Sequence, residues 1–187
     1  MTSALAGYDT AIVHTAIEYL GKREVGNNSG PFVDRLLRYV GIYRPAPWCT
    51  AAAVTILHEA AQHLGGVSTC PRVASGAKLW RWAMRNPAKA ERIRHAEDLR
   101  PGDVVIMGST VAKADRIRRG RLASGHTWIA GSSATDKDGY HVSFEGNTNL
   151  GGSRDGQGFL SRTRTFADPR VVGGIRFQAL YVPGVSR

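Results

Sequence analysis

Four residues of this 187-residue chain could together carry covalent chemistry: Cys49 in PWCTAAAV, His126 in SGHTWIAG, and Glu145 and Asn147 in FEGNTN. A cysteine attacks as its thiolate, so it needs a base to take its proton and a third group to orient that base. Cys49 heads an alanine-rich stretch that runs with helical spacing to about His63, with Ala53, Ile56, Leu57 and Ala60 on one side. A helix N-terminus offers unpaired N–H groups and roughly half a positive charge, which stabilise a thiolate and can hold an oxyanion. Two other roles stay open for Cys49 on position alone: a small buried hydrophobe, or half of a disulfide with Cys70. Cys70 precedes Pro71 in VSTCPR, a predicted loop with no helix terminus to lower its pKa.

Of six histidines, His126 is best placed as the base, because it follows Ser124 and Gly125 at the mouth of an apolar strand. GHTWIAG and YHVSFEG flank the polar, turn-rich SSATDKDG, which predicts an antiparallel hairpin. A turn centred near residues 135 and 136 sets His126 directly opposite Glu145, about 5 Å away between Cβ atoms. Alternation then places His126, Trp128, Glu145, Ser143 and His141 on one face, and Thr127, Ile129, Val142 and Phe144 on the other. A carboxylate in that position orients the imidazole and favours its charged form. His141 lies four residues from Glu145, roughly 13 Å at strand rise, and reads as a surface residue. His58 and His63 in HEAAQH resemble a zinc motif, but a spacing of five turns their rings ~140° apart on a helix, and no metal site is expected.

The elements that must position these groups change character along the chain. Residues 9–20 place Ile12, Val13, Ala16, Ile17 and Leu20 at helical spacing and stop at Gly21. Pro31 opens a second helix carrying Phe32, Val33, Leu36, Leu37 and Val40, ended by Gly41. After the proline-broken YRPAPW comes the Cys49 helix, and residues 76–85, GAKLWRWAMR, predict a shorter one. From Leu99 the pattern turns to strands: LRPGDVVIMG, GHTWIAG, YHVSFEG and GIRFQALYV. Helices first and strands later predict an α+β fold, in a single domain over residues 1–187 with no internal repeat. The four tryptophans read as core or groove wall, and Trp48 and Trp128, beside the reactive groups, are the expected substrate contacts.

Composition narrows the partners. Lysine and arginine number 25 against 15 acids, a surplus of +10 that favours polyanions such as nucleic acid, acidic lipid or wall polymers. Five cations crowd a basic loop between Lys113 and Arg121 immediately before His126. The N-terminus lacks the basic start and continuous apolar core of a signal peptide, and no stretch approaches the ~20 apolar residues of a membrane span. The expectation is a protein made in the cytoplasm.

Taken in order, EVGNNSGPFVDRLLRYVG, PWCTAAAV, RPGDVVIM, GHTWIAG and FEGNTN resemble the CHAP family of cysteine, histidine-dependent amidohydrolases and peptidases, particularly its phage and bacterial peptidoglycan hydrolases. The resemblance covers about residues 10–150. It implies a papain-like fold with N-terminal helices packed on a C-terminal antiparallel sheet. It also implies roles: Cys49 as nucleophile, His126 as base, Glu145 as the orienting acid, and Asn147 as the polar residue beside them. The implied activity is cleavage of a peptidoglycan amide, as endopeptidase or N-acetylmuramoyl-L-alanine amidase, by a monomer without cofactor that reaches the wall after holin-type or lytic release. Anionic wall polymers are a further expected partner, through the basic loop.

Two features depart from the family pattern. Members usually carry a small or apolar residue after the histidine, where this chain has Thr127 and then bulky Trp128, which bears on substrate fit. Some members bind calcium through aspartates before the cysteine. The only acids between residues 22 and 48 are Glu24 and Asp34, too few for a cation that takes six or more oxygens, so no calcium dependence is expected. Two alternatives stand beside the hydrolase. One is a papain-like acyltransferase or amidase acting on a non-wall substrate. The other is a non-catalytic basic module for polyanions, although no nucleic-acid motif is present and no nucleic-acid partner is expected.

Overall fold

The first three helices, α1 (Tyr8–Glu18), α2 (Pro31–Tyr39) and α3 (Cys49–His63), begin where local sequence dictates. They belong to a computed structural model that describes residues 6–135, 138–148 and 157–181. Pro31 opens α2, where a missing N–H costs nothing, and Val33, Leu36 and Leu37 supply its buried stripe. In α1, Ile12 and Ala16 are buried, but Ile17 and Leu20, expected on the same face, are exposed. α3 is buried on nearly every side, from Ala51 and Ala52 round to Ile56, Leu57, Ala60 and Ala61. Its alanines let α1, α2 and the sheet pack close around it.

Strand β1 (Gly66–Ser68) pairs with the last strand, and α4 (Gly76–Arg85) follows with Ser75 Oγ accepting the Lys78 N–H as its cap. The main sheet is built from β2 (Ala90–Ile93), β3 (Val104–Gly108), β4 (Gly125–Ala130), β5 (Tyr140–Thr148), β6 (Gly158–Thr165) and β7 (Val171–Phe177). Its order is β2-β7-β3-β4-β5-β6 with every pair antiparallel, and β8 (Ala179–Tyr181) pairs with β1. The mixed helices and antiparallel sheet are the α+β class that the sequence predicts. Among the described residues no helix is long and apolar enough to cross a membrane.

Alternation divides the sheet's core in two. Ile106, Ile129, Phe144 and Ile175 pack toward the helices, while Val105, Met107, Trp128 and Ala130 form a second cluster with Ile93, Leu99, Phe166 and Val171 on the opposite face. The observed register pairs Ile129 with Phe144 and Ala130 with Ser143. This differs by two residues from the predicted hairpin, and continued along the strands it sets Trp128, not His126, opposite Glu145. A two-residue shift leaves every side chain on its predicted face, because the strand period is two.

Several elements escaped the sequence pattern. Residues 113–121, expected as a loop, are largely α5 (Val111–Arg118), which starts at a Thr110 cap and buries Ala114 and Ile117. That helix stands between β3 and β4, so helices and strands are not fully segregated along the chain. β1, β2 and the charge-rich β6 were also unforeseen. Asp136 and Lys137 of the predicted turn, Asn149 of FEGNTN and Val182 of the last predicted strand lie outside the described residues.

Candidate functional site

Cys49 is the first residue of α3, and four contacts hold that helix start in place. The Trp48 indole packs against Gly146, where an added Cβ would fall 2.6 Å from the ring, so only glycine lets the two elements approach this closely. Trp48 Nε1–H donates to Glu24 Oε2 at 3.0 Å, and its ring meets Phe32 edge-on at 5.8 Å. Thr50 and Thr127 join their hydroxyls at 2.9 Å, tying the first turn of α3 to β4 beside His126. No side chain caps α3, so the N–H groups of its first turn remain available to a developing oxyanion.

His126 presents its two ring nitrogens to different partners. Nε2–H donates to Glu145 Oε2 at 3.0 Å, while buried Nδ1 has no hydrogen-bond partner among the described residues and is the nitrogen free to serve Cys49. Burial pushes the Cys49 thiol up. The His126 imidazolium, the Thr50 hydroxyl and the Thr127 N–H more than offset this, leaving its pKa below the ordinary thiol value. Burial likewise disfavours charge on His126, but the Cys49 thiolate and the Glu145 carboxylate raise its pKa to about 9. Both shifts favour the charged forms, so each group supports a thiolate on Cys49 and an imidazolium on His126.

Glu145 is fully buried and accepts hydrogen bonds at both oxygens. Ser143 Oγ–H donates to Oε1 at 2.6 Å, Arg164 Nε to Oε1 at 2.7 Å, and Arg164 Nη2 to Oε2 at 2.7 Å. Burial alone would raise its pKa, yet Arg164 and His126 hold it well below the usual carboxylate range. Sequence reasoning missed Arg164, which comes from β6 and also lies over the Trp128 ring, 5.5 Å from its centroid. The available signal was the alternation in SRTRTF, which sets Arg162 and Arg164 on one face.

Trp128 and His141 correct two expectations. His141 is 2% exposed, not a surface residue. Its Nδ1–H donates to the Gly139 carbonyl at 2.9 Å and its Nε2 accepts the Trp128 indole N–H at 2.9 Å, which fixes one neutral tautomer, and burial lowers its pKa. Trp128, 1% exposed, is thus a buried residue packed between the rings of His126 and His141. Neither Trp128 nor Trp48 is among the residues lining the groove, and both are buried, so neither ring is presented where the sequence placed a substrate contact.

That groove, a cavity of about 430 Å³, has Cys49, His126 and Asn147 in its lining. Asn147 sits at φ 56°, a left-handed conformation that asparagine tolerates, and neither atom of its buried amide has a partner among the described residues. From the 113–121 segment Ile117 faces the groove, and none of its five cations does. Both thiols are free, which removes the disulfide reading of Cys49. Burial holds the Cys70 pKa well above that of a free thiol. Among the described residues no group of three or more His, Cys, Asp or Glu side chains is placed to hold a metal ion. The arrangement can carry nucleophilic acyl transfer: a thiol with a lowered pKa, an imidazole beside it, and open N–H groups at a helix start.

No protein-family model matches the chain, and comparison with curated proteins gives no match. Its fold is similar to the crystal structure of a wild type endolysin, LysIME-EF1, with a TM-score of 0.53 at 20% sequence identity. The likeness covers 90% of this chain and 63% of that one, so this chain spans less than two-thirds of the endolysin's length.

Proposed function

We propose that the chain hydrolyses an amide bond of peptidoglycan, as endopeptidase or N-acetylmuramoyl-L-alanine amidase, by a thiol mechanism. The reading rests on one observation above all: a buried Cys49–His126–Glu145 array opening onto a groove, with the thiol pKa lowered and the imidazole pKa raised. The CHAP-like motifs and the endolysin-like fold suggest the wall as substrate.

In the first step the Cys49 thiolate attacks the amide carbonyl carbon, and the carbonyl oxygen takes the negative charge beside the N–H groups at the start of α3. The C–N bond breaks as the His126 imidazolium gives its proton to the leaving amine. In the second step His126, now neutral and held by Glu145, takes a proton from water, whose oxygen attacks the thioester. The C–S bond then breaks, restoring the thiolate–imidazolium pair, and the carboxylic acid formed passes its proton to the released amine, leaving a carboxylate and an ammonium group. Lys113, Arg116, Arg119 and Arg121, outside the groove, would add a salt-dependent attraction to anionic wall polymers.

Incubating purified peptidoglycan with the protein and with its Cys49→Ala variant, then identifying new termini by mass spectrometry, tests the reading. Release by the unaltered protein alone supports it and names the bond. Equal release by both overturns the mechanism, and acyl groups appearing on an added amine instead of water would make the protein a transferase.

A further inference from the structure

The groove beside Cys49 has a one-sided chemistry. Arg72 and Lys78 line it, no aspartate or glutamate does, and His126 is its only aromatic ring among the described residues. Neither cation belongs to an ion pair among those residues, whereas Arg35, Arg118, Arg164, Arg170 and Arg176 all do. The Arg72 guanidinium lies over the Tyr39 ring, 4.4 Å from its centroid, a contact that holds it at the groove, and a guanidinium carries donors that fit a carboxylate.

Lys78 is placed where the fold gains nothing from it. It is the third residue of α4, whose first turn contains no acid, so its charge opposes the helix dipole. Asn147 adds a second feature that protein contacts do not satisfy: an amide with a donor and an acceptor, both buried in the groove lining. Such a pair matches the N–H and C=O of a peptide group. A sugar ring would find no aromatic face to stack on, while Val73 and Ala74 offer contacts sized for small aliphatic side chains.

We propose that this groove selects a peptide carrying a free carboxylate, bound by Arg72 and Lys78, with Asn147 hydrogen-bonded to the peptide backbone. The proposal rests on the reading of Cys49 as the nucleophile toward a wall peptide and specifies which part of that wall the groove takes. It makes the enzyme sensitive to amidation of its substrate: a neutral carboxamide forfeits the charge-assisted bonds that a carboxylate makes.

The test uses soluble peptidoglycan fragments, half of them with their carboxylates coupled to methylamine by carbodiimide, and the Cys49→Ala protein so that nothing turns over. Calorimetry at low salt should give about tenfold tighter binding of the unmodified fragments. The preference should vanish when Arg72→Gln and Lys78→Gln are added and persist with Arg72→Lys and Lys78→Arg, which keeps loss of folding from imitating loss of the site. Equal binding of both fragment pools, or a preference that survives the glutamine substitutions, overturns the proposal. The two readings fail separately: a charge preference in binding with no hydrolysis by the Cys49 protein would keep the subsite and discard the hydrolase.

Discussion

Arg164 grips Glu145 through both carboxylate oxygens, Nε to Oε1 and Nη2 to Oε2, each at 2.7 Å. A fully buried carboxylate would otherwise take up a proton to escape desolvation. The fork keeps it ionised, and an ionised Glu145 keeps His126 oriented and charged.

Replacing Arg164 should therefore alter the pH profile as well as the rate. Glu145 has its folded pKa depressed, so its contribution to stability is full above the ordinary carboxylate range and is lost as pH falls through the folded value. In Arg164→Gln that value rises, and the acid limb of activity should move to higher pH while kcat/KM falls about 10- to 100-fold. Breaking a buried pair should also lower stability by about 3–5 kcal/mol, with Arg164→Lys recovering part of it. An acid limb that stays in place would show that Arg164 does not govern Glu145.

The thiolate–imidazolium pair predicts a split between two alkaline behaviours. Hydrolysis should decline as pH rises through about 9, because His126 then lacks the proton that the leaving amine needs. Alkylation of Cys49 by iodoacetamide should not decline there, since it needs only the thiolate. At neutral pH peptide mapping should find Cys49 labelled ahead of Cys70, as its pKa is lowered while burial keeps the latter thiol protonated.

Asn147 has no bond to His126, so removing its amide should weaken substrate binding without changing the thiol. Asn147→Gly, which tolerates φ 56°, should raise KM about tenfold and leave the Cys49 alkylation rate unaltered. A slowed alkylation would assign Asn147 to the imidazole instead.

Gly146→Ala tests how Cys49 is aimed. Its Cβ would press on the Trp48 ring at 2.6 Å, one residue before Cys49. Overpacking of this kind should cost about 1–3 kcal/mol, measured by denaturant unfolding, and should slow alkylation of Cys49 in the folded protein.

Local signals made much of the fold legible. Pro31, the alanine run after Cys49 and the GAKLWRWAMR spacing mark helices that begin at Pro31, Cys49 and Gly76, because a helix start depends on residues within one turn. α5 was not legible: only Ala114 and Ile117 reach the core, and its cations imitate a solvated loop. The basic run before His126 does not line the groove, and the cations that do come from residues 72 and 78, remote in sequence.

The sequence by itself determined which side chains share a strand face, since alternation is a property of one chain segment, and which cysteine stands at a helix start. Tertiary structure alone decided the partners. It set the hairpin register two residues from the expected one, brought Arg164 from β6 to Glu145, buried His141 beneath Trp128 and left Asn147 facing the groove. The physical reason is that spacing along a chain orders side chains only over a few residues. Which charges meet across strands, and which polar groups stay unpaired, depends on how separate elements fill a common core.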